Sequence, residues 1–171
     1  NQALCAIQFL YKNVFERDIG LVEDVVRAKK PKNLPVVFTR QEVKRVLERL
    51  QGIHWLMGML LYGAGLRLRD CLRLRVHDIE FARRQLVVRR GKGLKDRVTP
   101  LPGRVTDPLR IHLEQVKHAH ELAMRNGYGG VELPDALAIK YPNAPTQWGW
   151  QYVFPAPEPS IDPRSGARRR H

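Results

Sequence analysis

VHDIEFARRQLVVRRGKGLKDRVTPL, residues 76–101, is where the apolar pattern changes its period. Val76, Asp78 and Glu80 alternate with Ile79 and Phe81, Gln85 to Arg89 forms a second β-like run, and Arg97 to Leu101 a third. A period of two suits a half-buried strand, because successive side chains point to opposite faces. Gly91, Lys92 and Gly93 supply turn chemistry between the second and third runs, and Pro102-Gly103 closes the third. The stretch predicts a small three-stranded antiparallel meander.

Outward from it, the pattern is helical. Thr39-Arg40-Gln41-Glu42 fits a capping box, in which hydroxyl and carboxylate each satisfy a free backbone N–H. Val43, Val46, Leu47 and Leu50 form the stripe of that helix, and Gly52 ends it. Ile53 to Tyr62 is apolar on nearly all sides, as a helix through the middle of a core should be, and Tyr62 is expected inside that core. Gly63 and Gly65 break it, and a short helix resumes through Cys71, Leu72 and Leu74. Beyond the meander, Thr106, Asp107 and Pro108 predict a helix start. Leu109, Leu113, Val116 and Ala123 carry it to Asn126-Gly127. Near the N-terminus, Leu4, Ile7, Leu10, Tyr11, Val14 and Phe15 predict a helix over 1–19. The Lys- and Pro-bearing stretch from Lys29 to Pro35 reads as an inter-domain linker. A short helix from Pro134 to Tyr141 is expected, then an aromatic-rich run. The proline- and arginine-rich tail is expected to be extended and mobile. The fold class is mainly α with a small three-stranded antiparallel β-sheet, an α+β arrangement.

Charge points to the partner. The 171 residues carry 30 Lys and Arg against 17 Asp and Glu, a formal +13. Twelve of those cations fall in residues 67–104, against four acids. Nucleic acid is the expected partner of so basic a domain, and a solvated basic face accounts for most of these side chains individually. Cys5 and Cys71 have no Cys or His at a ligand-like offset, so neither a disulfide framework nor a metal site is expected, and both read as small buried thiols. The longest apolar run is too short to span a bilayer, and no secretory pattern opens the chain. No membrane association and a cytoplasmic location are the expectations.

Gly65-Leu66-Arg67-Leu68-Arg69-Asp70, with Leu72, Leu74, Asp78 and Ile79, resembles the first arginine box of the tyrosine recombinases, the phage-integrase family. Arg90-Gly91-Lys92-Gly93-Leu94-Lys95-Asp96-Arg97-Val98-Thr99-Pro100-Leu101 resembles that family's β-hairpin lysine segment. The two together, in this order and at this distance, are far more specific than either alone. The resemblance implies that Arg67 clamps the scissile DNA phosphate, that Lys92 protonates the departing 5′ oxygen, and that Asp70 supports Arg67. Arg69, Arg90, Lys95 and Arg97 become candidate nucleic-acid contacts. In the family's reaction a tyrosine oxygen attacks phosphorus to give a 3′-phosphotyrosyl link, and fixed cations stabilise the charge that builds on the phosphate. The family needs no metal or nucleotide cofactor. It also needs an H-x-x-R box and a late tyrosine. None of the six histidines has Arg three positions on, and all five tyrosines lie before the place where the nucleophile falls. A chain cut at both ends and unable to cleave DNA is the expectation. A DNA-binding module related to recombinases but never catalytic is the alternative.

Leu133-Pro134-Asp135-Ala136-Leu137, Lys140-Tyr141-Pro142-Asn143-Ala144 and Trp148-Gly149-Trp150-Gln151-Tyr152-Val153-Phe154-Pro155 resemble the insertion of integron integrases. Ser160-Ile161-Asp162-Pro163-Arg164 and the run ending at His171 fit the same group. This likeness implies recognition of duplex DNA and of single strands folded into hairpins, from which unpaired bases project. Aromatic rings offer such bases a stacking surface. Lys140, Trp150, Pro163 and His171 are the candidates for that role, with packing of the insertion as the plainer account of Trp148 and Trp150. The implied organisation is the end of a DNA-clamping domain at 1–20, a linker at 21–36 and a partial catalytic domain at 37–171, with the insertion at about 131–154. Full-length protomers would grip DNA in a C-shape and assemble as a homotetramer on two sites.

Overall fold

A computed structural model of the chain describes residues 2–20, 36–89, 95–133, 137–163 and 165–170. The chain divides into two compact units, Asn1–Val37 and Phe38–His171. The expected linker from Lys29 to Pro35 lies outside the described residues.

The first unit contains helix α1, Gln2–Asn13, none of whose residues is buried. It is shorter than the expected 1–19. Glu16 adopts a left-handed backbone, φ 50, and the Arg17 N–H returns to the Tyr11 carbonyl at 2.9 Å. That reversal stops the helix even though Val14 and Phe15 continue its apolar spacing. Cys5, expected buried, is exposed on α1.

The second unit opens with α2, Arg40–Arg49, and the capping box forms as expected. Thr39 Oγ1 accepts from the Glu42 N–H at 3.3 Å, and Glu42 Oε2 accepts from the Thr39 N–H at 2.8 Å. The Thr39 N–H and, at 2.9 Å, the Thr39 hydroxyl both donate to the Glu42 carboxyl and hold it below its ordinary pKa. Helix α3, Gly52–Gly63, buries Leu56 and Leu60. Gly58 lets α2 approach, since a Cβ there would stand 2.8 Å from Leu50 Cδ1. Tyr62 is 55% exposed, not core, because the phenol falls on the outer face of the last turn.

After the short helix α4, Leu68–Leu72, a 3-10 turn at Val76–Asp78 leads into the sheet. Strands β1 (Ile79–Glu80), β2 (Gln85–Val88) and β3 (Arg97–Pro100) form the antiparallel meander in order, with Ile79 opposite Leu86 and Leu86 opposite Thr99. The first run is shorter than its alternation suggested, because Asp78 turns inward to cap the 3-10 turn. Helix α5, Gly103–Arg125, starts a turn before Pro108. The proline forgoes one early hydrogen bond, and the extra turn places Val105, fully buried, in the core. Complete burial of such an apolar side chain contributes on the order of 1.5–3 kcal/mol.

The core gathers Leu60, Cys71, Leu74, Leu86, Val88, Leu109 and Leu113 with Val153 and Phe154 from beyond the aromatic run. A second cluster, Val131, Leu133 and Ala144, takes in Trp150 and Tyr152, while Trp148 packs on the main core. Between them lie helix α6, Leu137–Lys140, and 3-10 turns at Ala144–Thr146 and Trp148–Trp150. The tail is not simply extended: Ser160–Ile161 (β4) pairs antiparallel with Arg168–Arg169 (β5). Asp162, buried, anchors this ribbon through its ion pair with Arg169.

Arg75 joins the aromatic segment 148–154 to the core. Counted by sequence among the basic residues of a solvated face, it is 9% exposed. Its Nη1 donates to the Trp150 carbonyl at 2.5 Å and its Nη2 to the Glu132 carbonyl at 2.7 Å, with the Tyr152 ring 4.5 Å from its Cζ. Backbone bonds from Val76 to Gln151 and from Val153 to Leu74 flank it. Arg75→Leu should lower unfolding free energy by about 3 kcal/mol, because the carbonyls lose a charged donor they cannot replace. Urea denaturation measures it; a loss under about 1 kcal/mol would contradict the assignment.

Candidate nucleic-acid interface

The loop before α4 sets the first arginine. Gly65 has φ 62, a conformation that disfavours a side chain, and it turns the chain so that Arg67 becomes the N-cap of α4. Thr99 Oγ1 donates to the Ala64 carbonyl at 2.7 Å, tying β3 to the same loop. Asp70 is the hub. Its Oδ2 accepts from the Arg67 N–H at 3.3 Å and from Arg97 Nη2 at 3.1 Å, and lies 3.8 Å from Arg67 Nη1. Arg97 also donates to the Gly65 carbonyl at 3.2 Å. The Arg67 side chain remains 55% exposed. One carboxylate therefore locks the backbone of Arg67 and the start of β3 together, while the Arg67 guanidinium stays open to a ligand with two acceptor oxygens.

Beside Asp70, burial pushes the Cys71 thiol up to about 12, with the Asp70 charge adding to it. Cys71 is thus a packing group and no nucleophile. Arg69 and Lys95 are exposed. Arg90 and Lys92 lie outside the described residues, as does His171.

A second carboxylate does similar work on β2. Asp78, buried, accepts from Arg89 Nε at 2.7 Å and from the Arg75 N–H at 3.1 Å, and lies 3.1 Å from His77 Nε2. Burial works to raise its pKa, but the bonds from His77 and Arg89 outweigh that and hold it below the ordinary value.

Residues 140–150 provide a cavity lined by Lys140, Tyr141, Pro142, Asn143, Ala144, Gln147 and Trp150. Lys140 and Trp150 thus share one site, with Lys140 Nζ 5.3 Å from the Tyr141 ring centroid. Pro163 sits instead at the exposed turn between β4 and β5. Sequence reasoning missed the histidines that brace this region. Nitrogens of His77, His112 and His120 lie 2.7, 2.7 and 3.0 Å from the carbonyls of Gly149, Val153 and Thr146. Burial lowers the His120 pKa, against the Thr146 bond and the Glu121 charge, which raise it. No local spacing marks these residues; only their contacts do.

The phage integrase family model matches residues 36–126. The chain belongs to the phage integrase family. Relatives named integrase/recombinase from Escherichia coli and Pseudomonas aeruginosa are each 42% identical over 170 residues, 99% of this chain and 50% of theirs. A tyrosine recombinase XerA from Thermococcus kodakarensis is 43% identical over 101 residues, 56% of this chain and 36% of that protein. A crystal structure of XerA recombinase superposes with a TM-score of 0.44 at 21% identity, covering 99% of this chain and 47% of that one. The chain spans about half the length of the integrase/recombinase relatives it matches. Among the described residues, no helix is long and apolar enough to cross a membrane.

Asp78 also sets an acid limit. Because its folded pKa is depressed, its stabilisation is complete above the unfolded value near 4 and is lost as pH falls through the folded value. Stability followed by urea titration should therefore drop below about pH 4. Asp78→Asn should flatten that drop while lowering stability at neutral pH, and an unchanged acid limb would contradict the role.

Proposed function

We propose that the whole protein is a site-specific DNA recombinase of the integron-integrase group, transferring phosphodiester bonds through a 3′-phosphotyrosyl intermediate. The observation that carries this reading, in a chain of this family, is the cavity where Lys140 and Trp150 meet. An indole beside a mobile ammonium suits an unpaired base and its adjoining phosphate, a pairing that plain duplex DNA does not offer. Arg67, open beside Asp70, suits the scissile phosphate, with Lys92 as acid toward the 5′ oxygen. Arg69, Arg90, Lys95 and Arg97 add cations along the backbone path. Pro163 and His171, away from that cavity along the chain, are the remaining candidates for holding a base, and four protomers act on two sites.

These 171 residues alone are read as inactive in cleavage. They hold no histidine with arginine three positions on, and Tyr128 and Tyr152 are engaged elsewhere. Tyr128 lies under the Arg168 guanidinium, 5.1 Å from its Cζ, and Tyr152 under Arg75.

Two substitutions in the whole protein test the reading. Arg67→Lys should reduce strand cleavage by roughly 100-fold or more, since the bidentate fork is lost, while DNA affinity changes little. Recombination at normal rates would remove Arg67 from the mechanism. Trp150→Ala should weaken binding of a hairpin with a protruding base by roughly tenfold and leave plain duplex nearly unaffected. Equal losses on both DNAs would point to a folding role for the indole, and to a general DNA-binding module in place of a hairpin reader.

A further inference from the structure

We propose that His77 is a positioning residue for the Trp150 wall of that cavity, and through it sets the preference for a protruding base. The inference rests on the base-holding reading of the cavity and adds a residue to it that does not line it.

His77 lies between the insertion and the sheet. Its Nδ1 donates to the carbonyl of Gly149, immediately before Trp150, at 2.7 Å. Its ring meets the Trp150 ring edge-on, with centroids 4.6 Å apart and planes at 65°. On the far side, Nε2 stands 3.1 Å from Asp78 Oδ1, the same oxygen that receives Arg89 Nε at 2.7 Å. The imidazole is therefore held at both nitrogens. A Cβ at position 149 would stand 3.5 Å from His77 Cβ, so the backbone before Trp150 passes directly over the histidine.

The backbone of Trp150 is fixed independently by Arg75 at its carbonyl. Arg75 also reaches the indole face, its Cζ 5.8 Å from the ring centroid, and Val131, Leu133 and Ala144 pack near it, so His77 adds the edge-on contact that further limits rotation about the two side-chain torsions. Edge-to-face contact favours one setting over others. A stacking surface held in its bound orientation loses less entropy when a base arrives, which raises affinity for that base without a new contact. A plain duplex, with no base to insert, gains nothing. His77 should therefore act on the hairpin-to-duplex ratio and not on DNA affinity in general.

The test uses the whole protein with His77→Leu, His77→Asn and Trp150→Ala. Each variant is titrated with a hairpin carrying one protruding 2-aminopurine and with the matching duplex. His77→Leu should lower the hairpin-to-duplex ratio by roughly fivefold and reduce quenching of the protruding 2-aminopurine, with duplex affinity unchanged within about twofold. His77→Asn, which keeps a donor near the Gly149 carbonyl but has no ring edge to set against the indole, should lose the ratio much as His77→Leu does. An unchanged ratio and quenching in His77→Leu, with Trp150→Ala losing both, overturns the role of His77 and spares the base-holding reading. An unchanged ratio in Trp150→Ala overturns the base-holding reading itself. Should His77→Leu fail to fold, His77→Asn decides through the same fluorescence. Quenching lost at normal folding supports the ring contact, and full quenching at a ratio near wild type overturns it.

Discussion

The guanidinium of Arg75 is charged, almost withdrawn from water, and bonded to the carbonyls of Glu132 and Trp150. A buried cation is tolerated only where fixed acceptors replace its hydration, so these contacts form together or not at all. Main-chain bonds on either side and the burial of Val153 and Phe154 make the aromatic segment part of the domain's core. One wall of its cavity, Trp150, is consequently bonded into the domain. A stacking surface carried on a loose loop would pay in ordering entropy whatever it gained in contact.

The acids have a corresponding logic. In a chain with so large an excess of cations, Asp70, Asp78 and Asp162 each face arginine: Arg67 and Arg97, Arg89, and Arg169 respectively. Each carboxylate joins pieces of chain that no apolar contact would align, namely a helix start to a strand, a 3-10 turn to a strand, and the two arms of the tail ribbon. The cations thereby divide into those that build and those that face outward. Arg67 belongs to both groups. Its backbone is bonded to Asp70 while its side chain stays open, which is the condition a phosphate clamp needs.

Much of this was legible in the sequence because it is local. The capping box at Thr39 and Glu42 and the β2–β3 pairing follow from spacing within a few residues. The misreadings share a cause, which is that burial is decided by partners far along the chain. Arg75 is indistinguishable by composition from Arg73, yet its acceptors lie 57 and 75 residues away. Val105 draws α5 past its proline start because the core has room for it. Tyr62 belongs to an apolar run but falls on its outer face, and Asp162 with Arg169 turns a tail of apparent low order into a ribbon. The cavity was half visible: Lys140 and Trp150 could be named from their resemblance, whereas His77, an ordinary surface residue by pattern, could not.

The central claim is that one domain offers a guanidinium to a DNA phosphate and, at Trp150, an indole to an unpaired base. Photo-crosslinking from a 5-iodouracil placed at the protruding position of a hairpin, followed by mass mapping of the adduct on the whole protein, tests it most directly. The account predicts an adduct within residues 140–150, at Trp150 or Tyr141. An adduct confined to α1, or one equally strong when the halogenated base is paired within the duplex, would contradict it.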